Sequence, residues 1–266
     1  MNAEAKAGGE HSPAEIYERH FVPALFEQWG AVVADAAGIA PGQQVLDVAC
    51  GTGALTRAVF GRLDGEGSVT GLDSNPEMLA VARERLPQIR WREAPAEALP
   101  FEDGKFDTVV SQFGLMFFDD RAGALREALR VLKPGGRLAV AVCDALDHSP
   151  GYAVLSELLH RLFGPAVAEA FRAPFCCGDR QRLGELCRQA GIADAEVSRT
   201  DGAVRFASID ALVATERACA WTLGGLLDDD QFARLAAAAR ESMAPFAGAG
   251  GAVNFTMPVL LIRARK

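Results

Sequence analysis

Val45-Leu46-Asp47-Val48-Ala49-Cys50-Gly51-Thr52-Gly53 runs from a short apolar stretch into a glycine turn. The apolar stretch predicts a buried strand, and the two glycines leave the backbone bare where a ligand approaches closely. A turn that binds pyrophosphate begins on glycine and points a helix N-terminus at negative charge. Here the carboxylate of Asp47 stands at the junction, where it would repel a phosphate and attract a cation. The segment therefore predicts a strand-turn-helix unit whose ligand carries an amine.

Apolar stretches alternate with helical segments downstream of this turn. We predict strands over residues 44–49, 68–72, 89–93 and 106–112, and helices over 54–62, 76–86 and 121–132. This alternation is typical of a parallel sheet with crossover helices. Proline and glycine in 133–136 end the last of these helices, and 137–142 is predicted as a fifth strand.

The flanking segments are mostly helical. Apolar spacing predicts a helix over 13–37, with a kink or junction at Pro23. After Cys143, broken helical pieces over 152–171 suggest a lid or pocket wall. The rest of the chain is predicted to form a helix over 179–190, a strand over 195–206, a helical stretch over 209–242 and a strand over 255–264.

The composition of the chain limits which binding partners and which cellular compartment we expect. The 266 residues carry a net charge of −8, which disfavours extended nucleic-acid binding. No run approaches the roughly 20 apolar residues that span a bilayer, and residues 1–11 do not resemble a signal peptide, so we expect a cytoplasmic protein. The six cysteines show no zinc spacing; we expect reduced core thiols and no metal, with the adjacent Cys176 and Cys177 as the exception.

A second carboxylate further limits which ligands the site could bind. Asp73 follows the second predicted strand, 20 residues after Gly53, the spacing at which an acid accepts hydrogen bonds from two ribose hydroxyls. Ligands of parallel sheets gather at the carboxyl ends of the strands. A ligand that places an amine at Asp47 and a ribose at Asp73 matches S-adenosylmethionine (SAM).

Several motifs resemble one known family. They are VLDVACGTG at 45–53, GLDSNPEML at 71–79, AEALPF at 96–101, FD at 106–107 and LRVLKPGG at 129–136. In this order they resemble the class I SAM-dependent methyltransferases, most closely the ubiquinone/menaquinone-biosynthesis type. The resemblance covers about residues 43–142.

The resemblance implies an α/β fold: a Rossmann-like, doubly wound, mostly parallel seven-stranded sheet with an antiparallel last strand, an N-terminal helical arm and helical lid insertions. It divides the chain into an N-terminal cap (1–42), a SAM-binding core (43–143), a lid or substrate insertion (144–178) and the remainder of the core (179–266), with a helical insertion at about 207–248.

The resemblance also implies roles for individual residues. Those expected to bind the cofactor are Asp47, Ala49, Gly51 and Gly53 around the methionine portion, Asp73 and Ser74 at the ribose, Met78, Ala96 and Glu97 at the adenine, Gln112 beside the methyl group, and Tyr17 at the cofactor carboxylate. Relatives often have an acid before the alanine at 96, where this chain has Pro95.

Residues for the methyl acceptor are less well defined by sequence. His20 and His148 are candidate general bases, although packed or exposed histidines are the simpler interpretation. A candidate pocket consists of Phe113, Met116, Phe117, Phe171, Phe175 and Trp221, which ordinary core packing explains equally well. Asp119 and Asp120 suggest a helix N-cap rather than a metal pair.

We therefore expect in-line methyl transfer from SAM to an O, N or C nucleophile of a small, largely apolar molecule such as a quinol, phenol or heterocycle. The product from SAM is S-adenosylhomocysteine (SAH). We expect the protein to act as a monomer or homodimer. Three alternatives remain. A protein or RNA methyltransferase is disfavoured by the apolar lid and by the net charge. An NAD-dependent oxidoreductase is disfavoured by Asp47 and by Thr56, which stands where a dinucleotide fingerprint has its third small residue. A non-catalytic SAM-binding module would have a filled acceptor pocket.

Overall fold

A seven-stranded sheet forms the centre of the computed structural model, which describes residues 12–219 and 222–266. The strand order is β3-β2-β1-β4-β5-β9-β6, with β9 antiparallel to both neighbours and the other pairs between β1 and β5 parallel. Its strands are β1 (Gln44–Val48), β2 (Ser68–Asp73), β3 (Arg90–Glu93), β4 (Phe106–Gln112), β5 (Leu132–Cys143), β6 (Glu196–Thr200) and β9 (Val259–Arg265). The predicted fold class is confirmed.

Helices cover both faces of this sheet. They are α1 (Pro13–Ile16), α2 (Glu27–Ala37), α3 (Ala54–Arg62), α4 (Pro76–Arg85), α5 (Arg121–Val131), α6 (Pro150–Phe163), α7 (Pro165–Arg172), α8 (Arg180–Gln189), α9 (Ile209–Ala218) and α10 (Asp229–Ser242). Alternate residues of β1 face opposite sides: Val45 packs in the core with α2 and α3, while Leu46 packs in the core with α5 and α8. Burial on both faces explains the nearly continuous apolar strands.

The N-terminal helix contains the predicted irregularity. A π-helical stretch, Tyr17–Phe26, joins α1 to α2 and includes Pro23. Proline has no N–H to continue the α-helical ladder, and π-helical turns are rare and often occur at functional sites. The predicted junction at Pro23 is thus present, within one continuous helical arm.

The predicted start of β5 at residue 137 is wrong. The strand begins at Leu132, which pairs with Phe106, and the pairing shifts register before Arg137 pairs with Thr108. Gly135 takes a positive φ of 78°, a conformation that glycine adopts without strain. The Lys-Pro-Gly-Gly segment therefore ends α5 and also forms an irregular first part of the strand.

The C-terminal third is more interrupted than predicted. The expected strand over 195–206 is two strands, β6 and β7 (Ala203–Phe206), and β7 pairs with β8 (Val253–Thr256) in a separate two-stranded sheet. A Cβ at Gly202, between them, would lie 2.1 Å from the Trp29 ring, so glycine permits the chain to pass over that ring. The expected helix over 209–242 is likewise two helices, α9 and α10, and Met257 and Pro258 separate β8 from β9.

Helices α6, α7 and α9 lie at the carboxyl edge of the sheet, where their side chains line the same cavity as Asp47 and Gln112. α10 packs against α6 and α9, and α9 contacts the N-terminal helical arm. No helix in the described ranges is long and apolar enough to cross a membrane.

Candidate functional site

A cavity of about 420 Å³ opens at the carboxyl ends of β1, β2, β4 and β5. Its lining includes Asp47 and Ala49 from the end of β1, Asp73 from β2, Gln112 from β4 and Cys143 from β5. These ends lie together because the strands are parallel and adjacent. The carboxyl edge of the strands is where α/β sheets hold their ligands. The volume lies in the usual range for small-molecule pockets.

Asp47 is a fully buried carboxylate with one oxygen unpaired. Its Oδ2 accepts a 2.6 Å hydrogen bond from the Thr56 hydroxyl, whereas Oδ1 has no partner in the described part of the chain. Burial raises the pKa of Asp47 to about 7, against the lowering effect of Thr56. A buried acceptor without a donor is costly, and an amine placed in the cavity would satisfy it.

The turn after Asp47 is held in a strained shape. Ala49 has a positive φ of 57°, which costs a non-glycine residue conformational energy. The turn is fixed from the helical arm, because the Thr52 hydroxyl donates a 2.5 Å hydrogen bond to Glu18. Glu18 is itself buried and pairs with Arg57 at 3.2 Å and Arg85 at 3.0 Å.

Asp73 joins the ends of the first two strands. Its Oδ2 accepts a hydrogen bond from the Gly51 N–H at 2.8 Å, and its Oδ1 accepts one from the Asn75 N–H at 2.9 Å. Burial raises the pKa of Asp73 above its ordinary value, while these backbone donors oppose the rise. Each carboxylate oxygen has a second acceptor position, so Asp73 can shape the turn and also accept hydrogen bonds from ligand hydroxyls.

Tyr17 and Met78 bound the cavity next to Asp73. Met78 is buried and packs with Ala14 and Val81, and Tyr17 packs against this group. Tyr17 also stacks on Phe26, with ring centroids 5.4 Å apart. Burial is the main cause that raises the pKa of the Tyr17 hydroxyl, so this group stays protonated.

Gln112 connects the sheet to the helical arm. Its Nε2 donates a 3.0 Å hydrogen bond to the Phe26 carbonyl, and its Oε1 is buried without a partner in the described ranges. The next residue, Phe113, has a positive φ of 58°, and its ring lies 5.1 Å from that of Phe26. The chain thus turns sharply at the end of β4 and leaves an amide oxygen at the cavity.

The part of the cavity lined from α6, α7 and α9 is aromatic and, among the described residues, includes one carboxylate. Tyr152 contacts Phe171 and Phe175 edge to face, at centroid distances of 5.8 and 5.9 Å. Glu216 of α9 also lines the cavity, although it is only 2 % exposed. Glu216 is not among the site residues predicted from the sequence. The available signal was its place three and four residues after Val213 and Leu212, on the apolar face of α9.

The structure brings most of the predicted site residues together. Those that line the cavity are Tyr17, Asp47, Ala49, Gly51, Asp73, Ser74, Met78, Gln112, Phe113, Met116, Phe117, Phe171 and Phe175. Phe117 is 42 % exposed, at the rim. Trp221 lies outside the described residues.

Five predicted residues do not line the cavity. Gly53 caps the start of α3 with a φ of 91°. Ala96 is a buried core residue, and Glu97 accepts a hydrogen bond from the Asp119 N–H. His20 is exposed, because its position on the helical arm faces away from the sheet. The Nδ1 of His148 is hydrogen-bonded to Oδ2 of Asp144 at 2.9 Å.

Two smaller expectations concern Asp120 and the cysteines. Asp120 caps α5 by accepting a hydrogen bond from the Gly123 N–H at 2.8 Å, so the capping interpretation is confirmed. Groups of three or more His, Cys, Asp or Glu residues suited to a metal were not found in the described ranges. Cys176 is exposed while the other five cysteines are buried.

Comparison with known proteins places this site in context. Residues 46–140 match the family model described as a methyltransferase domain. The chain is 42 % identical over 141 residues to a demethylmenaquinone methyltransferase of Renibacterium salmoninarum, covering 53 % of this chain and 58 % of that protein. It is 42 % identical over 158 residues to a ubiquinone/menaquinone biosynthesis C-methyltransferase, UbiE, of Shewanella sediminis, covering 56 % of this chain and 62 % of that protein.

The similarity in fold extends further than the similarity in sequence. The YcgJ protein of Bacillus subtilis superposes with a TM-score of 0.60 at 19 % identity, covering 90 % of this chain and 98 % of that chain. The chain spans about three fifths of the two curated relatives. The motif resemblance is confirmed: residues 46–140 match the family of methyltransferase domains, and the same region is similar to the two menaquinone- and ubiquinone-biosynthesis methyltransferases.

Proposed function

We propose that this protein transfers a methyl group from SAM to an O, N or C nucleophile of a small, largely apolar molecule. The observation that carries the proposal is the unpaired Oδ1 of Asp47, at one end of a cavity whose other end is aromatic. A quinol, phenol or heterocycle fits the aromatic end. The acceptor is a small molecule, and we expect a monomer or homodimer that acts in the cytoplasm.

The residues around the cavity fit SAM. Asp47 would bind its amine through Oδ1, and the exposed lone pairs of Asp73 would accept hydrogen bonds from the ribose hydroxyls. Met78 would pack on the adenine with a polarizable thioether, and Tyr17 would donate a hydrogen bond to the cofactor carboxylate. When bound, SAM supplies a methyl group that its sulfonium makes electrophilic.

The protein itself mainly has to position the acceptor and exclude water. Tyr152, Phe171 and Phe175 provide flat apolar faces for a ring, and the helical arm and helices α6, α7 and α9 line the cavity. Orientation of this kind contributes on the order of 7–11 kcal/mol to lowering a barrier. Gln112, held by the Phe26 carbonyl, offers an amide oxygen that orients a ligand at the junction of the two halves.

Calorimetry with SAM, SAH and NADH tests the donor. We expect SAM and SAH to bind and NADH to bind weakly or not at all, because Asp47 repels a pyrophosphate. Asp73→Ala should lower SAH affinity, and Asp194→Ala, an exposed position, serves as its control. Binding of NADH but not SAH would overturn the proposal in favour of an oxidoreductase.

Methyl transfer is tested by incubating the protein with isotope-labelled SAM and a panel of quinols, phenols and heterocyclic amines. Label in any acceptor supports the proposal. A non-catalytic SAM-binding module would bind SAH, bind none of the panel and release no SAH from SAM.

A further inference from the structure

Glu216 is the one carboxylate in the aromatic half of the cavity within the described ranges. It lies near the end of α9, two residues before the helix ends at Ala218. Opposite it, on α6, is Tyr152, and the pair interact electrostatically. Neither residue is among those proposed to hold the cofactor.

One oxygen of Glu216 accepts a hydrogen bond of good geometry within the protein. The Thr222 hydroxyl donates a 2.9 Å hydrogen bond to Oε2, and no comparable bond reaches Oε1 in the described part of the chain. The Tyr152 hydroxyl is buried and also lacks a hydrogen-bond partner of good geometry there. A buried pair of polar groups with unused capacity is unfavourable unless something in the cavity uses it.

The charge of Glu216 is not neutralised by the protein. The described residues that line the cavity include no lysine, arginine or histidine. Burial therefore raises the pKa of Glu216 to about 7, although the hydrogen bond from Thr222 and the nearby Tyr152 hydroxyl both lower it. The other ionisable groups around Tyr152 are Cys143 and Cys219; burial raises the pKa of Tyr152 and of Cys143, so these two stay protonated near neutral pH.

We propose that Glu216 is the general base of the transferase, which binds a ring-bound hydroxyl of the acceptor through Oε1 and removes its proton. The proposal rests on the proposed function and specifies its acceptor: a phenol-type ring with one hydroxyl directed at α9. It assigns the role for which the sequence offered only His20 and His148.

The transfer balances without a further reactant. The acceptor O–H bond breaks, and its proton goes to Oε1 of Glu216. The acceptor oxygen uses an electron pair to bond the methyl carbon while the carbon–sulfur bond breaks. Sulfur keeps that bond's electron pair and leaves as the neutral thioether of SAH, so the negative charge of Glu216 and the positive charge of the sulfonium are lost together.

A hydroxyl suits Glu216 better than an ammonium group does. A carboxylate beside an ammonium favours its charged form, and a protonated amine has no free electron pair for the methyl group. The same carboxylate beside a neutral hydroxyl increases the electron density on oxygen as it accepts the proton. A base whose pKa lies near 7 is also well matched to proton transfer at neutral pH.

A matched pair of probes tests the contact without relying on turnover. We would titrate 1-naphthol and 1-methoxynaphthalene, which differ in the hydroxyl hydrogen, into protein saturated with SAH. Glu216→Gln should weaken 1-naphthol about tenfold and leave 1-methoxynaphthalene unchanged. Glu241→Gln, at an exposed position of α10, should change neither.

The pH profile gives a second readout. Wild-type affinity for 1-naphthol should rise as pH rises through about 7, because the carboxylate form accepts the hydrogen bond while a phenol, with a pKa near 10, remains protonated. Thr222→Val removes the donor to Oε2 and should move this rise to higher pH. This variant keeps the test available if Glu216→Gln does not fold.

The outcomes separate this inference from the proposed function. If SAH binds and the wild type and Glu216→Gln bind 1-naphthol equally, Glu216 is not the base and the methyltransferase proposal stands. The inference also fails if SAH binds but wild-type protein binds neither probe. If SAH itself does not bind, the proposed function fails first.

Discussion

The hydroxyl of Thr56 lies 2.6 Å from Oδ2 of Asp47, and both residues are fully buried. Thr56 stands in the first turn of α3, where a dinucleotide-binding fingerprint has a small residue that allows helix and strand to pack closely. In this protein the same position supplies a hydrogen bond that favours the charged form of a carboxylate. The hydrogen bond therefore connects α3 to the Asp47 carboxylate, which is proposed to bind an amine.

Thr56→Val should weaken SAH binding about tenfold. Valine has the same shape, but it cannot donate to Asp47, so the pKa of Asp47 rises further and less carboxylate is present at pH 7; hydrogen bonds to charged groups contribute about 1.5–3 kcal/mol. Thr56→Ser retains the hydroxyl and should bind SAH nearly as the wild type does. Calorimetry at pH 7 measures both variants, and equal affinity of wild type and Thr56→Val would contradict the role given to this bond.

The unliganded protein should lose stability as pH rises from about 5 to 8. Asp47 and Glu216 each have a pKa raised to about 7 in the folded chain, whereas ordinary Asp and Glu titrate near 4. Between these values the folded state holds more protons than the unfolded state, so raising the pH favours unfolding. Urea unfolding at several pH values measures the slope, which Asp47→Asn should reduce. A stability that is constant or rises over this range in the wild type would contradict the burial of these two charges.

Gly114→Ala should lower SAH affinity more than tenfold. A Cβ at Gly114 would lie 2.5 Å from the Cβ of Ala49, so the strained turn after β1 would have to move. Gly61→Ala is the matched control, because a Cβ there meets nothing within 4 Å and alanine stabilises a helix by up to about 1 kcal/mol. Unchanged SAH binding by Gly114→Ala would show that the position of Ala49 does not matter to the ligand.

Glu18→Gln should loosen the helical arm from the glycine turn. The change removes the charge that holds Thr52, Arg57 and Arg85; because both arginines are partly exposed, we expect a stability loss of about 1–3 kcal/mol. SAH affinity should fall several-fold, and proteolysis between residues 12 and 26 should become faster. Glu27→Gln, an exposed residue of the same arm, should behave as the wild type in both assays.

The residues proposed to hold the cofactor were largely predictable from the sequence, and those proposed to hold the acceptor were not. Asp47 and Asp73 follow their strands directly, so their spacing along the chain fixes their position in the sheet. Glu216 is brought to the cavity by the packing of α9 against the helical arm, a contact between residues about 200 positions apart. Local pattern carries no record of that contact, and a glutamate in a short helix usually faces solvent.

The difference between local sequence pattern and long-range packing also explains the errors in the predicted secondary structure. Helices α3, α4 and α5 end where caps and prolines end them, and their predicted bounds agree with the structure within one residue. The strand predicted over 195–206 is divided because its two halves pair with different partners, β6 with β9 and β7 with β8. Both halves have suitable strand sequences, and the choice of partner is made by tertiary structure.

The position of β9 between β5 and β6 has a consequence for how the molecule is made. β5 is synthesised more than a hundred residues before its neighbour Val259–Arg265, and until that neighbour is made one edge of the central sheet stays open. An apolar open edge is a site for pairing with other chains, and contacts so distant in sequence form slowly. Nascent chains of this protein should therefore depend on chaperones until residue 265 has emerged.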